Sequence, residues 1–295
     1  MKRREFIVAG ALLAAGCAGP MATGGEAFRS DRISVVTEGQ GPDVLLVHGL
    51  RSSRDVWREL VAAVPGYRYH IVQINGFAGT PAPGIASDGF LAATAAEIAR
   101  YMDEAGLDRP ALIGHSMGGT LGMMVAARHP AAISRLMVVD MVPFMGAMFG
   151  PPGTSAEAIR PTADALRDRM LAMDPAALRK MVEDTMAGMV RTEGRRAEAV
   201  RHGLTSDNAQ SARAFHELIV TDLRPELRSI AVPVTVLYVR GPNIPLTDEQ
   251  MDAIYRASYA NVPQAKLTRI PDAYHFMMWD APERFAQEVR AFLRG

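Results

Sequence analysis

One cysteine, Cys17, stands in 295 residues. That is too few for an internal disulfide or for a zinc site built on paired thiolates, so packing alone must hold the fold. Net charge is missing as well, because 32 basic residues face 32 acidic ones. Such a balance supplies no broad cationic field for nucleic acid or an anionic membrane, which argues against a charge-led binding role. Aromatic residues make up only 6% of the chain, but hydrophobic residues reach 48%. One ordinary domain or two small ones can bury a core with that content. No internal repeat or low-complexity tract is present.

The first 20 residues read as an address. Lys2, Arg3 and Arg4 precede an apolar run from Phe6 to Ala15 and then small residues, the order of an export signal. The run is roughly half the length needed to cross a bilayer, which argues against a lasting transmembrane span. Arg3-Arg4-Glu5-Phe6-Ile7 resembles a twin-arginine signal, and Leu13-Ala14-Ala15-Gly16-Cys17 resembles a bacterial lipobox with Ala14 where leucine is commoner. Two readings stand: lipidation at Cys17, or ordinary cleavage near Ala18 to Ala22 with Cys17 discarded. Either implies an exported bacterial protein, periplasmic or held at the membrane only by a lipid on Cys17.

In the mature chain, short continuous apolar runs recur at Asp43–His48, Tyr69–Ile74, Pro110–Gly114, Arg135–Val139, Val232–Val239 and Lys266–Ile270. Such runs predict strands buried on both faces. Segments with helical spacing lie between them, at Arg54–Ala63, Gly89–Ala105, Met117–Arg128, Asp248–Ser258 and Pro282–Leu293. The alternation predicts an α/β fold with a mostly parallel sheet wound on both sides. It stops between Met141 and about Arg228, where helix starts are expected at Thr162-Ala163-Asp164, Asp174-Pro175 and Ser206-Asp207. The organisation is therefore a signal over 1–20, a core in two parts over 21–140 and 229–295, and a helical lid insertion over 141–228. Residues 141–190 hold eight of the 18 methionines. These either seal the insertion against the body or line an adaptable pocket.

The most informative residues are Gly114-His115-Ser116-Met117-Gly118, a G-x-S-x-G between an expected strand and an expected helix. A sharp strand-to-helix turn leaves no room for side chains at 114 and 118 and holds the serine in a strained conformation. Together with His48-Gly49 and His275, this motif resembles the α/β-hydrolase superfamily over roughly Ile33 to Arg294. Asn75–Thr80 and Leu223–Leu227 resemble further loops of that family.

The resemblance implies an α/β-hydrolase sheet and a Ser-His-acid triad, with Ser116 as nucleophile and His275, after the last strand, as base. Tyr274 departs from the family's usual glycine before that histidine. The acid is open. The commoner site, after the penultimate strand, has no carboxylate until Asp248, whereas Asp140 ends the preceding strand, where haloalkane-dehalogenase-like members carry theirs; we expect Asp140, with Asp248 the alternative. The resemblance also implies an oxyanion hole from the Leu50 and Met117 amides. Met141, Val142, Phe144 and Met145 are candidate pocket walls, suited to an uncharged small or medium acyl group. His48 is expected to be structural, His115 to point away from the serine, and His70, His129, His202 and His216 to be surface or capping residues. The expectation is a serine esterase acting on a small-molecule ester, with no cofactor and no metal. Carbon-carbon hydrolysis, lactone opening and cofactor-free perhydrolysis could use the same machinery, and a non-catalytic binding lipoprotein is the alternative from another class.

Overall fold

The computed structural model describes residues 28–84 and 89–295. The 1–20 signal and Cys17 lie outside them. Seven strands form one sheet: β1 (Ile33–Gly39), β2 (Asp43–Val47), β3 (Arg68–Ile74), β4 (Ala111–His115), β5 (Arg135–Val139), β6 (Val234–Tyr238) and β7 (Lys266–Arg269), in the order β1-β3-β2-β4-β5-β6-β7. β1 runs antiparallel to β3 and every other pair is parallel. The antiparallel β1 lies at the edge, and its mostly exposed residues give no continuous apolar run.

Successive side chains of a strand point to opposite faces, and the buried residues divide accordingly. Leu45 and Val47 of β2 join one core with residues from α2 (Phe90–Glu104), α3 (Met117–Arg128) and α8 (Asp248–Ser258). Val44 and Leu46 join the other, with α1 (Arg58–Ala63), α9 (Met277–Asp280) and α10 (Pro282–Arg294). Helices thus cover both faces of a largely parallel sheet.

Between β5 and β6 the chain forms α4 (Ala156–Leu171), α5 (Pro175–Met189), α6 (Glu193–Thr205) and α7 (Asn208–Val220). Asp174 and Asp207 cap α5 and α7 where the sequence indicates, accepting from Ala177 N and Gln210 N. The start expected at Thr162 is incorrect. Helix α4 begins at Ala156 under a Ser155 cap and carries Pro161 within it. Pro161 is the sixth residue of that helix, beyond the free first-turn amides, so its missing N–H leaves Glu157 O without an intrahelical donor and the helix runs on at that cost. Helix α6 opens after Thr192, a residue of capping type whose side chain makes no cap bond here.

Part of this segment rests on the sheet body, since Val182, Met186 and Ala199 belong to the second core. Phe144, Ile159, Ala163 and Ile219 form a smaller cluster of their own. One carboxylate ties α7 to α2: Glu217 accepts from Gly89 N, Phe90 N and Leu91 N at 3.1, 2.8 and 2.9 Å. A carboxylate placed there meets the unpaired amides and the positive end of the helix dipole. Glu217→Ala should therefore lower stability by about 2 kcal/mol. The urea midpoint measures it; an unchanged midpoint would show that water replaces the carboxylate at no cost.

Candidate active site

The parallel ladder carries β4 straight into its turn. His115 pairs with Val139, and Ser116 N then donates to Val139 O at 2.8 Å. Ser116 sits between strand and α3 with φ 54° and ψ −121°, a conformation unusual for a residue with a side chain. The glycines permit it. A Cβ on Gly114 would lie 2.1 Å from Gly118 O, and one on Gly118 would lie 2.2 Å from Val47 O. Only bare backbone can approach so closely.

Asp140 leaves β5 in the same way, with φ 53° and its N–H donating to Leu237 O at 2.7 Å. Its Oδ1 accepts from Val239 N and from Tyr255 Oη, each at 3.1 Å. Its Oδ2 lies 2.6 Å from His275 Nδ1. His275 stands on the loop between β7 and α9, and its ring centroid is 4.6 Å from that of His115, the residue before Ser116. Ser116, Asp140 and His275 therefore gather at the carboxyl edge of the sheet. No hydrogen bond joins Ser116 Oγ to His275 among the described residues. Asp248 is turned elsewhere: it accepts from Arg240 Nε at 2.6 Å and Arg269 Nη1 at 2.7 Å, and the Arg240 bond holds its pKa below the usual carboxylate range.

Gly49 brings the loop after β2 against the serine, since a Cβ there would lie 2.9 Å from Ser116 Cβ. Leu50 follows it, half-buried, while Met117 is fully buried at the first position of α3. Neither Leu50 N–H nor Met117 N–H donates to a turn, loop or cap carbonyl among the described residues. Met141 and Val142 are buried directly after Asp140, and Met145 is partly buried against the first core. Phe144 instead packs in the small cluster beside Ile159, under the Arg224 guanidinium at 4.6 Å.

A model of the alpha/beta hydrolase fold family matches residues 42–282. The chain belongs to that family. It is 28% identical over 275 residues to a pimeloyl-[acyl-carrier protein] methyl ester esterase of Aeromonas hydrophila, a match covering 88% of this chain and 99% of that one. It is 25% identical over 279 residues to a putative 2-succinyl-6-hydroxy-2,4-cyclohexadiene-1-carboxylate synthase of Bacillus subtilis, covering 90% and 96%. Among solved structures, an enol-lactonase from Burkholderia xenovorans superposes with a TM-score of 0.73 at 19% identity, covering 89% of this chain and 96% of that one, a likeness of fold.

Several parts of this α/β-hydrolase's site carry no motif. Tyr238, Tyr255 and Tyr259 stack beside Asp140, with centroids 4.0 and 6.5 Å apart, and Tyr259 Oη donates to Met141 O at 2.7 Å. Burial, then the neighbouring Asp140 charge, pushes the Tyr255 hydroxyl pKa well up, so it stays a donor. Asp280 accepts from Tyr274 N at 2.9 Å, and also from Arg191 N and Thr192 N at 3.0 and 2.8 Å. It joins the His275 loop to the junction between α5 and α6. Arg51, at φ 52°, is buried and reaches the inserted helices, with Nη1 donating to Gly203 O at 2.9 Å and Nη2 to Asn208 Oδ1. The helical period of α8 does mark Tyr255 as inward-facing, but nothing local marks its partner.

The histidines need correction. His70 is buried between Tyr101 Oη and Asp43, at 2.6 and 2.8 Å, and His202 is buried in α6; neither is a surface residue. The His115 ring lies beside His275, with Nε2 3.0 Å from His275 O. His48 Nε2 accepts from Ile74 N at 2.9 Å, and its Nδ1 donates to Gly49 O at 2.7 Å.

Burial lowers the His48 pKa to about 4, and burial followed by the His275 charge lowers that of His115. A buried neutral histidine destabilises the fold in acid. Between about pH 6.5 and pH 4 the unfolded chain takes up a proton that the folded ring refuses, so stability is present above that window and lost as pH falls through it. The His48 share is about 3 kcal/mol. Urea unfolding at stepped pH should show the decline, with a shallower slope in His48→Asn. Equal slopes in the two proteins would remove His48 as its source.

Proposed function

We propose that this α/β-hydrolase is a serine esterase that cleaves carboxylic esters of small to medium, mainly apolar substrates. One observation carries the reading: the 2.6 Å contact between Asp140 Oδ2 and His275 Nδ1, at the sheet edge that also bears the strained Ser116. Asp140 fixes the imidazole tautomer and stabilises the imidazolium, which leaves Nε2 to work as the base. His275 takes the Ser116 hydroxyl proton as Oγ bonds to the ester carbon. The carbonyl oxygen becomes an oxyanion facing the Leu50 and Met117 amides. On collapse the carbon–alkoxy bond breaks, and His275 gives its proton to the departing alkoxide. Water, deprotonated by the same ring, then attacks the acyl-enzyme, and the acid leaves as Ser116 regains its proton.

Free hydrolases commonly tighten this hydrogen bond only with substrate bound, so the Ser116 hydroxyl turns toward His275 on binding. Met141 and Val142 supply apolar wall beside the acyl group, with Leu50 and Met145 toward the rim. Phe144, in its separate cluster, contributes through the inserted helices, which act as the lid. A methyl ester esterase among the relatives supports ester chemistry. No cofactor is needed for these steps.

A fluorophosphonate probe should label the native protein and not Ser116→Ala. Asp140→Asn should lower kcat on p-nitrophenyl esters by roughly 10⁴-fold, while Asp248→Asn, which breaks surface ion pairs only, should stay within about twofold. The reverse ranking would transfer the acid's role to Asp248. No labelling of the native protein would favour the non-catalytic binding lipoprotein, and turnover confined to lactones, diketone-like acids or peracid formation would move the substrate class.

Export completes the proposal: residues 1–20 direct secretion, and Cys17 becomes the lipid-bearing first residue. Radiolabelled palmitate should enter the expressed native protein and not Cys17→Ser. A secreted mature chain that begins after Cys17 would show ordinary cleavage instead.

A further inference from the structure

Asp55, Glu198 and His202 each bring one donor atom to within 4.8 Å of the other two, the one such trio among the described residues. Asp55 lies in the single turn that follows the Leu50 loop, capped by Ser53, and Glu198 and His202 are four residues apart on α6. That spacing puts the latter two on one face of the helix. The three donors stand close but apart. No hydrogen bond links any of them to another, and no protein group satisfies either ring nitrogen of His202 among the described residues. The imidazole is 5% exposed, and its Nδ1 is buried without a partner. An unpaired buried ring nitrogen is costly, and a polar core seldom tolerates one without a ligand.

We propose that Asp55, Glu198 and His202 bind a divalent transition metal ion, zinc being the best match, which clamps α6 to the turn beside the Leu50 loop. The donor set carries the choice of ion. One imidazole and two carboxylates suit zinc and its neighbours, whereas calcium and magnesium favour oxygen alone. Donors about 2.1 Å from a tetrahedral ion are roughly 3.4 Å apart, so the three, which lie within 4.8 Å of one another, draw together by up to about 1.4 Å to share one ion. Arg58 holds Asp55 Oδ1 at 3.4 Å and Arg195 holds Glu198 Oε2 at 3.1 Å, so each carboxylate keeps a second oxygen to offer. Asp55 is 46% exposed in its side chain, which gives the ion an entry path and room for water as further ligand. The site is separate from Ser116, Asp140 and His275, and the proposal does not rest on esterase activity.

The test is zinc titration of the chelator-treated, full-length protein by calorimetry, with thermal unfolding in parallel. One ion per chain should bind, and the Tm should rise by about 5 °C at zinc a hundredfold above its Kd. His202→Asn and Glu198→Gln should each weaken binding by tenfold or more, while His216→Asn leaves it unchanged. X-ray absorption should show one imidazole nitrogen with oxygen ligands. Should His202→Asn fail to fold, the isosteric variant Glu198→Gln and the absorption spectrum decide alone. Absence of saturable binding, equal affinity in Glu198→Gln, or a ligand shell with several imidazoles would overturn the site.

Discussion

The close approach of α3 to the strands beneath it is the constraint on which the site depends. Glycines at 114 and 118 let backbone meet backbone where any side chain would collide with the carbonyl of Gly118 or of Val47. That contact forces the turn, and the turn puts Ser116 into its unfavourable dihedral angles. Strain of this kind costs of order 1–3 kcal/mol and persists only where its surroundings over-determine it. Here they do: Ser116 N is bound to β5, and Ser116 O accepts from Gly119 N at 2.7 Å and Thr120 N at 3.2 Å. The positive end of α3 therefore lies at Ser116.

The inserted helices are joined to the core by charged groups as well as by oil. Glu217 closes the start of α2, Asp280 joins the α5–α6 junction to the His275 loop, and Arg51 reaches Gly203 and Asn208. Each connection ends on backbone or on a neutral amide, where charge-assisted bonds are strong and directional. They fix the insertion at well-separated places, one of which also holds the backbone just before His275. Packing of Val182, Met186 and Ala199 supplies the apolar share.

What could be read from the chain follows from how local each feature is. The elbow is five consecutive residues whose spacing is dictated by sterics, and the buried strands announce themselves as unbroken apolar runs, so Ser116 and the parallel sheet were legible. The exposed, antiparallel β1 was not, because an edge strand needs no apolar run. Asp140 and Asp248 stood open against each other, since what separates them is long-range: two arginines, Arg240 and Arg269, engage one, and Tyr255 with Val239 N surrounds the other. Asp280 and Glu217 act through backbone amides, which any residue supplies, and so leave no pattern. The start of α4 was misplaced because the residue that caps it, Ser155, lies seven residues before Thr162. His70 looked superficial because its partners, Tyr101 and Asp43, lie far along the chain, and His202 because the elements that cover it do.

Arg51 carries a consequence of its own. Burial draws its pKa down to about 10, which leaves the guanidinium ionised at neutral pH, and its bonded acceptors are uncharged. A cation therefore sits one residue beyond Leu50, with the Asp207 carboxylate acting on it from the inserted helices. A neutral residue in its place would strand Gly203 O and Asn208 Oδ1 without this donor and loosen the loop after β2 from the helices it now holds.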